Sequence, residues 1–437
     1  MPATLSLRTM QCSQADSAEK SEHTAQVGRA KPLVDGQRLW LRLMAMAEIG
    51  RRGETGVDRS AFSHEDRAAR RLLYEWACEH GLEVSQDSIG NLFLRYPGSR
   101  PELAPILTGS HLDSQPTGGR FDGVLGVIAG LEALAALDHA GLRPRRSIEV
   151  VAWSNEEGGR FAPGAMGSQI FSGALSLSDV LSVRDDSGAT LSQELADTLA
   201  ALPEAQLRPD TLAPAAYVEA HIEQGPQLDR AGFPVGVVLG IQGCLWLEYE
   251  VRGVSGHAGT TPHQYRRDAF EGAMRLISRL RHRCRKRSAN CRFTVGRVMV
   301  NPNTPNTIPG RVTFTVDFRD VDRQTFEELR QELLGARVPK ALALQVRELF
   351  HHPPEVFPAK LTRVVAQAIR LLNYPEHELV SGAFHDALFI ARMCPVAMIF
   401  IRCRDGVSHN PLEFAEAADV TAGAQVLLGT LLRLSNR

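Results

Sequence analysis

Apolar positions first take on a period at Asp35, where Leu39, Leu41, Leu43 and Met44 recur near helical spacing and predict an amphipathic helix. A second helix is predicted after Ser63, a good N-cap residue followed by Glu65 and Asp66, with an apolar body from Ala68 to Cys78 and Gly81 to close it. Short apolar runs then alternate with helical patterns. Asn91–Arg95, Pro105–Thr108, Ser147–Trp153, Ala215–Val218 and Val396–Ile401 read as strands, and Val124–Leu137 as a buried helix. This alternation predicts an α/β domain around a largely covered central sheet.

The middle of the chain has a different rhythm. From Gln242 to about Glu355 the order is strand Leu245–Val251, helix Arg267–Arg283, strands Phe293–Val300 and Arg311–Phe318, then helix Arg323–Leu333. Two strand–helix–strand passes predict a ferredoxin-like α+β domain inserted as a lid. The expected layout is a disordered tail over 1–33, a catalytic domain split between 34–241 and 356–437, and the insert at 242–355. A length of 437 residues agrees with more than one core.

Composition removes several classes of function. The formal net charge of -1 supplies no general attraction to nucleic acid or an anionic membrane. One basic run, Arg275, Arg279, Arg281, Arg283, Arg285, Lys286 and Arg287, offers phosphate contacts but lacks base-reading companions, and reads as a solvated helix end. The 7 cysteines are scattered without a CxxC pair, which fits reduced thiols rather than disulfides or a zinc–thiolate knot. The most apolar stretch, Gly123 to Leu137, is about 15 residues long and carries Glu132, too short to span a bilayer. With no signal-like start, a soluble cytoplasmic protein is expected, with neither nucleic acid nor membrane as partner.

The residues that carry chemistry fall just past predicted strands. They are His111, Asp113 and Asp122 in GSHLDSQPTGGRFDG, Glu156 and Glu157 in WSNEEGG, His221 in EAHIEQG, and His409 in DGVSHNP. Open α/β sheets place their sites at strand carboxyl ends. Any one of these residues alone reads as an ordinary structural or surface group; four such clusters together do not. Asp113 is expected to accept the second ring N–H of His111 and so orient it. His111, His221, His409, Asp122 and Glu157 make a thiolate-free set of imidazoles and carboxylates, suited to zinc, manganese, cobalt or nickel. Five ligands over-fill one catalytic ion. They suit two divalent ions bridged by one carboxylate, roughly 3.5–4 Å apart.

These motifs, with GHAGTTP and NTIPGRVTFTVDFRD in the same order, resemble the amidase/hydantoinase/carbamoylase family of binuclear metallohydrolases. The resemblance implies a metallopeptidase-like catalytic domain with a mixed central sheet and an inserted lid that makes a homodimer. It implies His111 and His221 on one metal ion, Glu157 and His409 on the other, Asp122 bridging, and Glu156 as general base. His257 would reach the oxyanion from a partner subunit, Asn306 and Arg319 would bind the substrate carboxylate, and Gln224 would contact the carbamoyl end. His385 would line the site. The implied reaction is hydrolysis of an N-carbamoyl-L-amino acid or N-carbamoyl-β-alanine to amino acid, carbon dioxide and ammonia, with allantoate hydrolysis as the alternative and dipeptidase or aminoacylase activity behind it. Phe384 stands where the family commonly has glycine, which bears on substrate choice rather than on metal binding.

Overall fold

The structure, a computed structural model, describes residues 32–208 and 213–437. The tail expected over 1–33 therefore lies almost wholly outside the described residues. The chain forms two compact units: one takes in residues up to Gly236 with 363–377 and 385–437, the other 237–362 with 378–384.

The first unit is built on a mixed sheet. Its strands follow the order Val396–Ile401, Ala216–Ile222, Ile106–His111, Ile148–Trp153, Leu92–Tyr96, Glu83–Gln86 and Gln206–Leu207. The first four run parallel, whereas Leu92–Tyr96 is antiparallel to both its neighbours. All four parallel strands are buried along their whole length, and Val396–Ile401 accordingly reads as a continuous apolar run rather than an alternating one. Helix Val124–His139 packs against this sheet and against helices Gly36–Glu48 and Ala417–Ser435. Covered on all sides, it buries every residue from Val124 to Leu137, and each large apolar side chain there contributes about 1.5–3 kcal/mol. Its one buried carboxylate, Glu132, is neutralised by Arg38 and faces Arg42.

Two sequence expectations need correction here. Leu41 is 59% exposed, and the buried stripe of helix Gly36–Glu48 is Leu39, Arg42, Leu43, Met46 and Ala47, as a 3.6-residue period requires. The strands bearing His111 and His221 also run further than predicted. Both histidines lie within their strands, opposite Trp153 and Phe400 respectively, because ladder pairing continues past Thr108 and Val218, where the predicted strands end.

The second unit contains four antiparallel strands, Gly243–Arg252, Arg292–Asn301, Arg311–Asp320 and Ala343–His352. In chain numbering their spatial order is second, third, first, fourth, the split β-α-β-β-α-β arrangement. Helices Ala269–Arg287 and Arg323–Leu334 close a core of Leu247, Tyr249, Leu276, Leu280, Phe314 and Phe326. The fourth strand was not predicted. It is an edge strand with partial burial at alternate positions, so its apolar signal is weak. The basic run lies on helix Ala269–Arg287, where Arg275 pairs with Glu271, Arg283 with Glu332, and Arg287 with Glu328 and Glu332. Among the described residues, no helix is long and apolar enough to cross a membrane.

Candidate metal centre

Three imidazoles converge on one carboxylate in the first unit. His111 closes its strand with Nδ1 2.9 Å from the backbone oxygen of Asp113, and His221 has Nδ1 2.9 Å from the backbone oxygen of Ile222. A carbonyl can only accept, so each Nδ1 carries a proton and, in the neutral ring, each Nε2 presents a lone pair. Those Nε2 atoms face Asp122 Oδ1, at 3.9 Å from His111 and 3.2 Å from His221. The other oxygen, Oδ2, lies 3.2 Å from Nε2 of His409, which is itself 3.3 Å from Glu157 Oε2.

The donors thus form two groups with Asp122 common to both: His111, Asp122 and His221, and Asp122, Glu157 and His409, each with its donor atoms within 4.8 Å of one another. Imidazoles pre-oriented through Nδ1, a carboxylate whose two oxygens face different groups, and no thiolate together fit a binuclear site for divalent cations.

The local sequence explains this convergence. Gly123 holds φ +67, and a Cβ there would sit 2.3 Å from Cε1 of His111, so the imidazole lies directly on a residue that must lack a side chain. On the opposite wall, Glu156 and Glu157 follow Asn155, itself at φ 54. Asp113 holds this corner, and its role differs from the expected one. Its carboxylate is 3.8 Å from His111 Nδ1, and its backbone carbonyl makes the bond to the ring instead. The two carboxylate oxygens accept the backbone N–H groups of Glu156 at 3.2 Å and Glu157 at 3.1 Å. The Asp113 carboxylate thus supports the two glutamates.

Residues 107–433 match the peptidase family M20/M25/M40. The chain belongs to that family. It is 38% identical over 410 residues to the N-carbamoyl-L-amino acid amidohydrolase of Geobacillus stearothermophilus, covering 92% of this chain and 99% of that one. The allantoate amidohydrolase of Bacillus subtilis is 31% identical over 396 residues, covering 89% of this chain and 95% of its own. The crystal structure of an amidase of the hydantoinase/carbamoylase family from Burkholderia multivorans superposes with a TM-score of 0.85 at 40% identity, over 93% of this chain and 99% of that one.

In this M20 family member the electrostatics of the centre call for cations. Burial, with Asp122 beside it, pushes Glu157 up to about 8. Burial also raises Glu156 well above the carboxylate range, with Asp386, Glu157, Asp113 and Asp122 adding repulsion. Burial opposes ionisation of Asp122 too, but hydrogen bonds with His221 and His409 hold it well below its usual value. His221 is raised to about 9 because those bonds to Asp122 outweigh its burial, and His409 reaches about 9 chiefly through its bond to Asp122. His111, by contrast, is lowered by burial to about 4. Packed carboxylates of this kind are stable when ionised only beside positive charge, which two divalent ions supply.

Around this centre Gln224, at φ 55, places Nε2 3.0 Å from Asp122 Oδ2 and 3.2 Å from Ser408 Oγ. The buried ring of His385 lies 4.6 Å from that of His221, edge-on. Glu219, His221 and His385 form a third donor group. Glu219, however, already accepts from Ser110 Oγ at 2.9 Å, the Tyr217 hydroxyl at 3.2 Å and the Ala387 N–H at 3.1 Å, so it braces the sheet end.

The other expected residues belong to the second unit. His257 pairs with Thr307 across a short ladder, and the Asn306 backbone oxygen accepts from Ala258 N, so His257 and Asn306 are neighbours. His257 Nδ1 accepts the N–H groups of Gly259 and Thr260, which leaves the proton of the neutral ring on Nε2. Arg319 carries a partner the sequence did not reveal: its Nε and Nη2 each lie 2.9 Å from the Asp317 carboxylate, and Nη1 donates to the Gly382 oxygen at 2.7 Å. Phe384 meets the Phe350 ring edge-on at 6.0 Å, and Phe350 meets Trp246 at 5.2 Å. Sequence reasoning also missed Glu413, four residues beyond His409 in the same loop; a lone buried glutamate gives no signal until its partners are known.

Proposed function

We propose that this protein hydrolyses the carbamoyl amide of an N-carbamoyl amino acid, with allantoate as the rival substrate. The observation that carries the reading is Asp122 shared between two donor groups with Glu156 beside them: Glu156 Oε2 lies 3.6 Å from His111 Nε2. The similarity to an N-carbamoyl-L-amino acid amidohydrolase along nearly the whole chain supports the substrate class. His111 and His221 would hold one ion, Glu157 and His409 the other, and Asp122 both; zinc is the first choice, then manganese, cobalt or nickel. Bound there, divalent ions acidify water and polarise a carbonyl.

Glu156, raised in proton affinity by burial, takes the proton of the attacking water and returns it to the departing amine. Attack at the carbamoyl carbon breaks the C–N bond to the amino acid, and the carbamate released decays to carbon dioxide and ammonia. His257, donating through Nε2 from a second subunit, stabilises the oxyanion. Arg319 and Asn306 receive the substrate carboxylate and Gln224 the carbamoyl end.

The 242–355 segment would act as lid and dimerisation domain. Supporting this, Phe270 and Met274 are exposed on helix Ala269–Arg287, and Val298 and Met299 on edge strand Arg292–Asn301, an apolar edge suited to a second copy. The free cysteines among the described residues suit the reducing cytoplasm.

The test is ammonia release from N-carbamoyl-L-amino acids, N-carbamoyl-β-alanine, allantoate and ureidoglycolate, with Glu156→Gln beside wild type. Highest kcat/KM on a carbamoyl amino acid, with Glu156→Gln slowed about 10²–10⁴-fold at full metal content, is expected. A preference for allantoate transfers the assignment to the rival, and an active Glu156→Gln removes the general base.

A further inference from the structure

We propose that Glu413 is a positioning residue that sets the affinity of one of the two ions, the one held by Asp122, Glu157 and His409. The inference rests on the binuclear reading above. Glu413 is 1% exposed. Its Oε1 accepts the backbone N–H of Phe121 at 2.9 Å and of Asp122 at 3.0 Å, and its Oε2 lies 2.9 Å from Ser408 Oγ. It is seated against Gly119, where a Cβ would come within 2.2 Å of its carboxyl carbon. One buried side chain thus ties the loop of the bridging aspartate to the loop of His409.

The two ions depend on this tie unequally. His111 and His221 lie in adjacent paired strands and are oriented by their own backbone carbonyl contacts, so their group needs Glu413 only through Asp122. His409 lies outside any strand, is about half exposed and holds φ 52, so little else fixes it. The neighbouring Ser408 hydroxyl has one proton and two acceptors within reach, Glu413 Oε2 and Asp122 Oδ2 at 3.2 Å. With a cation on Oδ2, that proton belongs on Glu413. The Glu413 carboxylate, with both oxygens accepting, therefore does two things: it locates His409 through Ser408, and it draws the serine proton away from Asp122 Oδ2.

The experiment uses the full chain, stripped by chelation and titrated with Zn²⁺, comparing wild type, Glu413→Ala and Glu413→Gln for ions bound and their affinities. Thermal unfolding of the stripped proteins is measured in parallel. Glu413→Ala is expected to keep one ion at near wild-type affinity and to bind the other about 10–100-fold more weakly. Glu413→Gln should fall between, because its amide oxygen still accepts from Phe121 and Asp122 while its NH2 turns the serine proton back towards Asp122. Equal weakening of both ions, or a loss that tracks unfolding of the stripped protein alone, overturns the proposal, as does wild-type affinity for both ions in Glu413→Ala. Wild-type protein that holds fewer than two ions overturns the binuclear reading itself, and the proposal with it.

Discussion

Replacing Gly123 by alanine should remove a metal ion without touching any ligand. The added Cβ would lie 2.3 Å from Cε1 of His111 and 2.4 Å from Nδ1 and Nε2. Ordinary carbon contacts are about 3.5–4.0 Å, so the ring must retreat by more than about 1 Å. Coordination tolerates only about 0.2 Å, so the His111 Nε2 donor is lost as a ligand. The retreat also breaks the bond from Nδ1 to the Asp113 carbonyl, worth about 1 kcal/mol, and alanine at φ 67, ψ -53, a strained region outside the left-handed helical well, costs about 1–3 kcal/mol more. A net destabilisation of roughly 2–4 kcal/mol is expected.

Gly81 supplies the control for that estimate. It has φ +59, and an added Cβ meets nothing within 4 Å, so Gly81→Ala carries the cost of a positive φ without the clash. Thermal unfolding of the chelated proteins, paired with counting of bound Zn²⁺, separates the two effects. Gly123→Ala should unfold at lower temperature than Gly81→Ala and hold about one ion fewer. If Gly123→Ala binds its full complement at wild-type affinity, the ring does not rest on that glycine in the working protein.

Three further outcomes follow from the same geometry. Asp113→Ala strips the acceptor from two buried backbone N–H groups and should cost about 3 kcal/mol in unfolding experiments, with kcat falling as the glutamates loosen; unchanged kcat would show that the glutamates are held otherwise. His221 and His409 titrate at about 9 without ions, so at neutral pH both are protonated, and ion uptake must expel those protons. Affinity should fall as pH drops below 9, by up to roughly tenfold per proton per pH unit, and calorimetry in buffers of different ionisation heat should register proton release; a flat profile contradicts the assignment. Phe384→Gly removes a ring packed on Phe350 and should shift kcat/KM between small and bulky N-carbamoyl amino acids by about tenfold at constant metal content; an unaltered ranking places the ring away from the substrate.

Much of this protein is written in local pattern. A parallel strand buried on both faces is a continuous apolar run, so Val396–Ile401 could be bounded from residue types alone. Caps are equally local: Asp35 and Ser63 accept from backbone N–H groups three residues on, as their side chains predict. The expected ligands were legible because sheet geometry gathers strand carboxyl ends, which lets motifs far apart in the chain be read as neighbours.

What the chain folded into decided the rest, because hydrogen bonds between distant segments leave no periodic trace. Only the tertiary structure turned the Asp113 carboxylate to the glutamates and left its carbonyl to the imidazole. Only it divided the two oxygens of Asp122 between separate donor groups and brought Glu413 onto a backbone amide 292 residues away. Arg319 shows the same limit: residue type announces a cation suited to a carboxylate, but packing chose Asp317, two positions earlier, to take its fork. Residue chemistry specifies which partners are acceptable, and the fold selects among them by distance.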